Sequence, residues 1–309
     1  MINHTKIVLL LICILSLSHC QNTEVQEPLE FENRVEFLLH ELTNPESRHV
    51  MVAAHRGDWQ WAPENSFSGF KNCIEAGVDI LEIDVRLSSD GVPMIIHDSS
   101  LDRTTTGKGK VKDWSMDSLK TLYLKDASGT VTQERIPTLE EVMIMARGEI
   151  LIYLDKSHNT VREILPVLER TGTLQQTIFV SKFSHSKAVE QFGALLEEVI
   201  YVPVVEYKIP DLVNHTNEHM RKADFPVYQV RIDSVDSDSY RIWQKLKAEP
   251  VKLFVAATWV HHTMGHDDAI SRTDPDQGWG WLIDNGFSLI ETNHPYELLR
   301  YLRNKGLHD

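Results

Sequence analysis

His55, Glu82, Asp84, His97 and Asp155 each stand at or near the end of a short apolar run, and Arg56, Asp98 and Lys156 follow three of them directly. Imidazoles carry protons near neutral pH, carboxylates hold cations, and guanidinium or ammonium groups hold anions. Glu82 and Asp84 are two apart in a β-type run, so their side chains leave the same face. That face belongs either to a barrel interior or to a layer of helices. Neither tolerates uncompensated charge, so the pair requires a cation. Taken singly, each feature has an ordinary explanation. A His at a strand end is most often a hydrogen-bonded turn residue, His-Arg-Gly arises by chance, and Asp155-Lys156 serves equally as an ion pair at a strand terminus. Three carboxylates, two histidines, an arginine and a lysine at successive strand ends are harder to explain that way, because parallel barrels gather their strand ends at one mouth.

The elements that would position these residues alternate along the chain. Candidate strands are Met51–His55, Asp79–Val85, Ile150–Asp155, Thr177–Ser181, Ile200–Val204, Val227–Ile232, Leu253–Thr258 and Ser288–Thr292. Most are dense in Val, Ile and Leu, as strands buried on both faces should be. Helical patterns lie between most of them, including Ser66–Ala76, Val161–Arg170 and Ser186–Leu196, and a short amphipathic helix over Phe31–Leu42 precedes them. Eight strands with crossovers suit a (β/α)8 barrel or an open doubly wound sheet. A ninth run, Pro93–His97, follows too closely for a parallel crossover. Asp90-Gly91 marks a turn instead, and an antiparallel hairpin across it sets Glu82 opposite His97 and Asp84 opposite Ile95. Residues Asp98 to Gly148 read as a loop excursion over one barrel end, closing with a helix near Leu139–Ala146.

One stretch carries a closer likeness. His55-Arg56-Gly57, Pro63-Glu64-Asn65-Ser66, Glu82-Ile83-Asp84-Val85-Arg86, Asp90-Gly91-Val92-Pro93, His97-Asp98 and Leu101-Asp102-Arg103-Thr104-Thr105 follow in order between residues 51 and 110. This stretch resembles the signature region of the glycerophosphodiester phosphodiesterases. The resemblance implies a TIM-type barrel and a divalent metal, with His55 and His97 as the acid/base pair and Glu82 and Asp84 as metal ligands. The family's third ligand is commonly a Glu two residues before a Lys. Leu154 occupies that position here, and Asp155, just before Lys156, is the carboxylate assigned in its place. Ser288 to Leu307 resembles the closing strand and helix of one bacterial branch, with Thr292-Asn293 where that branch has Thr-Asp.

Phosphodiester chemistry accounts for these residue types. An all-oxygen site suits Mg²⁺ or Ca²⁺, which bind phosphoryl oxygen and withdraw charge. Arg56 can hold two phosphate oxygens in a fork, and Lys156 adds a point charge. One imidazole deprotonates the attacking hydroxyl and the other protonates the departing alcohol. The nucleophile is either a glycerol hydroxyl, through a cyclic intermediate, or water. Glu64 lies in a position to reach the metal or its water shell, while Asn65 or Ser66 caps the following helix. Trp259, just past a strand end, would pack against the substrate alcohol, or serve as a core or rim aromatic. His261, His262, His266, Asp267 and Asp268 invite a zinc reading, though such loop clusters are more often solvated.

The chain has 309 residues, 42% hydrophobic and 25% charged, an ordinary globular composition. A net charge of −14 argues against sequence-independent nucleic-acid binding. Ile7 to Leu15 is an apolar run with the length of a signal-peptide core, and Leu17-Ser18-His19-Cys20 resembles a lipoprotein attachment sequence, with an unusual His19. The expected organisation is a signal over 1–19, a polar tether over 20–30 and the phosphodiesterase barrel over 31–309. The expected product is an exported protein, periplasmic or anchored to the outer membrane by a lipid on Cys20. Cys73 is the sole thiol left in that domain, which rules out an internal disulfide framework there. No protein partner is inferred. Hydrolysis of a small glycerophosphodiester is the expected function. A lysophospholipase D or sphingomyelinase D type activity and a non-catalytic lipoprotein that binds phosphoryl ligands are the competitors.

Overall fold

A computed structural model describes residues 30–309; the expected signal and Cys20 lie outside the described residues. Eight parallel strands close into a barrel: β1 (Met51–His55), β2 (Ile80–Leu87), β6 (Leu151–Asp155), β7 (Thr177–Ser181), β8 (Ile200–Glu206), β9 (Val227–Arg231), β10 (Lys252–Ala256) and β11 (Phe287–Thr292). β1 pairs with both β2 and β11, so no edge remains and the open doubly wound alternative is excluded. Helices occupy the crossovers. Ser66, not Asn65, caps the first of these, Phe67–Ala76, and Gly77 ends it with φ 87°.

The interior face switches character halfway up several strands. Met51 and Ala53 precede His55, Ile80 precedes Glu82 and Asp84, Leu151 and Tyr153 precede Asp155, and Leu289 precedes Glu291. With a side-chain period of two, each set lines the interior. The apolar lower residues pack with Leu38 and Leu42 of the helix Arg34–Thr43, which plugs the N-terminal end of the barrel. The polar upper residues are thereby gathered at the opposite mouth. A second apolar core fills the space between strands and outer helices.

Asp79 ties the helix that precedes the barrel to the segment that follows its last helix. Its buried carboxylate accepts from Val52 N–H at 2.8 Å, lies 3.0 Å from His308 Nε2 and meets Arg34 Nη2 at 3.5 Å. Burial alone would raise the Asp79 carboxyl, but hydrogen bonds from His308 and His49 outweigh it and bring it down to about 2.

The hairpin β2–β3 (β3, Pro93–Ile95) forms, with a register one residue away from the expected one: Ile95 lies opposite Val85 and Met94 opposite Arg86. Three residues, Ser89-Asp90-Gly91, cross between the strands, with Gly91 at φ 78°. The third loop residue in the left-handed region adds the extra step. Glu82 and His97 are therefore not a cross-strand pair, nor are Asp84 and Ile95. The excursion that follows has its own small core, built on Met94, Ile96, Leu101 and Leu124. It also contains an unanticipated two-stranded sheet, β4 (Tyr123–Lys125) with β5 (Val131–Arg135). The helix Leu139–Ala146 closes it with a capping box between Thr138 and Glu141.

Candidate active site

Parallel register brings the expected residues together at the mouth. His55 lies beside Glu82 across β1–β2, and Asp84 lies beside Asp155 across β2–β6. Glu82, Asp84 and Asp155 thus bring three carboxylate oxygens within 4.8 Å of one another. Lys156 Nζ bonds Asp84 and also Asp155, the latter at 2.7 Å. Arg56 Nε is 3.6 Å from Asp84 Oδ2, and among the described residues no hydrogen bond satisfies that buried N–H.

The loops are shaped to serve this cluster. The backbone N–H of Arg56 donates to Glu82 Oε2 at 2.8 Å and to the Glu82 carbonyl at 3.1 Å. Arg56, Asn65 and Lys156 all have φ near 60°, at 60°, 57° and 58°. Outside glycine that conformation costs about 1 kcal/mol or more. Gly57 follows Arg56 at φ 73°, where a Cβ would lie 2.8 Å from the Phe70 ring. Asn65 grips Asp84 twice: its Nδ2 donates to Oδ2 at 2.9 Å and its Oδ1 accepts the Asp84 N–H at 3.3 Å.

Negative charge dominates the floor. Burial, then the neighbouring Asp84, Asp155 and Glu291, push the Glu82 carboxyl well above the usual range. Burial also raises Glu291 to about 8, with Arg231 opposing and Asp155 adding to the rise. Burial would likewise raise Asp155, but Lys156 holds it down. An all-oxygen donor set with surplus negative charge and a carboxyl forced toward its neutral form fits a hard divalent cation.

The two histidines have different surroundings. His55 Nδ1 lies 2.8 Å from Asn293 Oδ1. Burial, then the charge of Arg56, lower its pKa to about 4, with the Asn293 hydrogen bond and Asp84 opposing. His97 Nδ1 lies 2.6 Å from Asp98 Oδ1, and its carbonyl accepts from the Arg86 guanidinium at 2.8 Å. Arg103 then joins Asp98 to Glu64, with bonds of 2.8 Å to Asp98 Oδ2 and 2.7 Å to Glu64 Oε2. Arg103 holds the Asp98 carboxyl well below its usual range. Glu64 also faces Arg56 Nη1 at 3.3 Å, so it bridges two arginines and stands outside the three-carboxylate cluster. Trp259 is half exposed on the rim beyond β10, with its ring 6.0 Å from His261.

Sequence reasoning did not single out Glu291, Asn65 as the holder of Asp84, or the trio Lys182, Glu206 and Arg231. The spacing Leu289-x-Glu291, the same apolar-to-acid switch as in β2, was the available signal for Glu291. Nor do the loop residues that suggested zinc gather around an ion. His266 stacks on Trp281 with ring centroids 3.8 Å apart, Asp267 caps a helix, and Asp268 accepts from Thr292 and from the Asn293 N–H.

Comparison with known proteins sets this geometry in context. The glycerophosphoryl diester phosphodiesterase family model matches residues 55–295. A glycerophosphodiester phosphodiesterase of Caldanaerobacter subterraneus subsp. tengcongensis is 35% identical over 145 residues, 44% of this chain and 59% of that protein. The chain thus matches less than two thirds of that relative's length. The glycerophosphoryl diester phosphodiesterase structure from Parabacteroides distasonis superposes with a TM-score of 0.74 at 23% identity, covering 90% of this chain and 94% of that one. An Oleispira antarctica phosphodiesterase, solved with the product sn-glycerol-3-phosphate, gives a TM-score of 0.60 at 23% identity over 82% of this chain and 96% of that one. At these identities the two structures speak to the fold.

Proposed function

This chain belongs to the glycerophosphoryl diester phosphodiesterase family, and from that premise we propose that it hydrolyses glycerophosphodiesters to glycerol phosphate and an alcohol. The observation that carries this reading is the meeting of Glu82, Asp84 and Asp155 with Arg56 and Lys156, flanked by two histidines on different elements. Glu82, Asp84 and Asp155 would hold a divalent cation, which when bound withdraws charge from a phosphoryl oxygen. Arg56, whose Nε lacks a hydrogen-bond partner among the described residues, and Lys156 bind and orient the anionic phosphate. In the reaction a P–O bond to the alcohol breaks, and the oxygen of water or of a glycerol hydroxyl forms the new one; where the glycerol hydroxyl attacks, water then opens the resulting cyclic phosphate to give glycerol phosphate. One imidazole takes the proton from the attacking oxygen and the other delivers a proton to the departing alcohol. Asn293 and Asp98 each engage an Nδ1, which leaves the two Nε2 atoms for this exchange. Asp98 places a carboxylate beside His97, whereas Asn293 places a neutral amide beside His55.

The same sn-glycerol-3-phosphate bound by the Oleispira antarctica phosphodiesterase is the product expected here. A lipid substrate of lysophospholipid or sphingomyelin type is the second reading. It is favoured by Trp61 and Trp259 on loops beyond β1 and β10, 80% and 51% exposed. A binding protein without turnover would not need the paired imidazoles. Export with a lipid on Cys20 completes the proposal, with the periplasm or the outer membrane as the location. The test is turnover of glycerophosphodiesters and of lysophospholipids, with and without chelator. Chelator-sensitive release of glycerol phosphate supports the reading. Absence of turnover with every divalent cation overturns it, and turnover of lipids alone moves the assignment to the second reading.

A further inference from the structure

Beside the carboxylate cluster the mouth opens into a second space of about 410 Å³, running from Asp155 past His158 to Lys182, Phe183 and Arg231. Its chemistry is the reverse of the floor's. Lys182 Nζ and Arg231 Nη1 converge on one buried carboxylate, Glu206, the latter at 3.1 Å. Arg231 is held further by Gln229 Oε1, with bonds of 3.2 and 2.9 Å. Two cations share one carboxylate, Glu206, while Asp155 at the near end of the space is already paired with Lys156, and Lys182 is 49% exposed and turned to solvent. Lys208 adds to the same field: with Arg231 and Lys182 it bears on His262. In a chain of net charge −14 this is a local inversion, placed within reach of anything bound at Asp155.

We propose that this lobe is the subsite for the departing alcohol and selects diesters whose alcohol carries an anionic group of its own. The inference rests on the hydrolase reading above, since it assigns one arm of that substrate. A phosphate held at Arg56 and Lys156 carries two arms. The glycerol arm is uncharged and gains little from a positive lobe, whereas a phosphate or carboxylate on the other arm gains a charge-assisted contact. A choline or ethanolamine alcohol would meet repulsion from Lys182 and Arg231. Such discrimination depends on salt, because Lys182 faces solvent.

The experiment compares three diesters whose alcohols differ in charge: glycerophosphocholine, glycerophosphoglycerol and bis(glycerophospho)glycerol. Expected are a kcat/KM at least about tenfold higher for the anionic than for the choline diester at low ionic strength, and a ratio that shrinks as salt is added. Lys182→Met should reduce the ratio by about tenfold and Lys182→Glu should reverse it, with melting temperature read alongside to verify folding. A wild-type preference for choline, or a ratio unchanged in Lys182→Met, overturns the proposal. Equal losses on all three diesters also overturn it, and assign the lobe to the glycerol hydroxyls they share. If no diester is turned over at all, the hydrolase reading falls separately. Calorimetric binding of bis(glycerophospho)glycerol still decides the lobe: weaker binding by about tenfold in Lys182→Met keeps it, and equal binding removes it.

Discussion

His55 Nδ1 lies 2.8 Å from Asn293 Oδ1, and the same oxygen accepts the Trp59 indole N–H at 3.1 Å. The backbone N–H of Asn293 in turn donates to Asp268 Oδ2 at 2.8 Å. The imidazole is therefore oriented by a neutral amide held from two sides. A carboxylate at this place would stabilise the charged ring more strongly; the amide's hydrogen bond raises the ring's pKa only against the larger lowering by burial and Arg56.

The Asn293→Asp substitution tests that distinction. With burial first and Arg56 second, His55 titrates at about 4. An added negative charge in contact favours imidazolium, so the midpoint should rise by roughly 1–3 units. Proton NMR of the His55 ring reads this directly, and an unmoved midpoint would show that the contact does not tune the ring.

Exhaustive chelation should abolish activity, and Mg²⁺ or Ca²⁺ should restore it. Glu82→Gln and Asp155→Asn should each weaken metal binding in calorimetry. Asn65→Ala, which frees Asp84 without removing a carboxylate, should weaken it about 10- to 100-fold. Full activity in metal-free protein, checked by elemental analysis, would defeat the assignment.

His55→Ala and His97→Ala should each lower kcat by about 10²-fold or more, the usual scale for a lost general acid or base. Metal affinity should change little in either variant. Near-normal turnover of His97→Ala would remove its role, which the hairpin register does not support independently.

Glu291 makes metal-free protein sensitive to alkali. Its folded-state pKa is raised to about 8 by burial, against an ordinary value of 4.5. Between those values the native state retains a proton that the unfolded chain has released. Stability therefore falls as pH rises through that window. Glu291→Gln should flatten the slope and exceed wild type by roughly 2–5 kcal/mol near pH 9, measured as urea midpoints in chelator. A slope equal to that of wild type would refute this.

Cys20→Ala should release the protein from membranes while leaving the barrel folded and active. Mass spectrometry of the exported form should find a lipid-modified N-terminal Cys20; an unmodified start further along the chain would contradict it.

The barrel was legible because its strands are buried on both faces and read as dense apolar runs. Met51–His55 and Thr177–Ser181 agree residue for residue, and the other six agree within two. The β4–β5 sheet was not, because Val131-Thr-Gln-Glu-Arg135 buries none of its residues fully and has no apolar signature. The hairpin was readable from Asp90-Gly91, but its register turned on whether two or three residues cross, which Gly91's backbone decides. The motif residues could be placed at one mouth by strand ends alone. Lys182, Glu206 and Arg231 sit on three separate strands or loops in no local pattern, so only closure of the barrel makes them neighbours.

Asp79 also bears on how this protein can be handled. It binds Arg34 of the plugging helix and His308, just past the last helix, while Val50 N–H donates to the Leu307 carbonyl at 2.9 Å. The helix that precedes the barrel and the segment that follows its last helix thus meet on the face away from the mouth. A linker could splice them together and new ends be opened in an outer loop, giving a circularly permuted chain whose substrate route is untouched. Coupled to a solid support through either end, the protein would present every mouth outward to the flow.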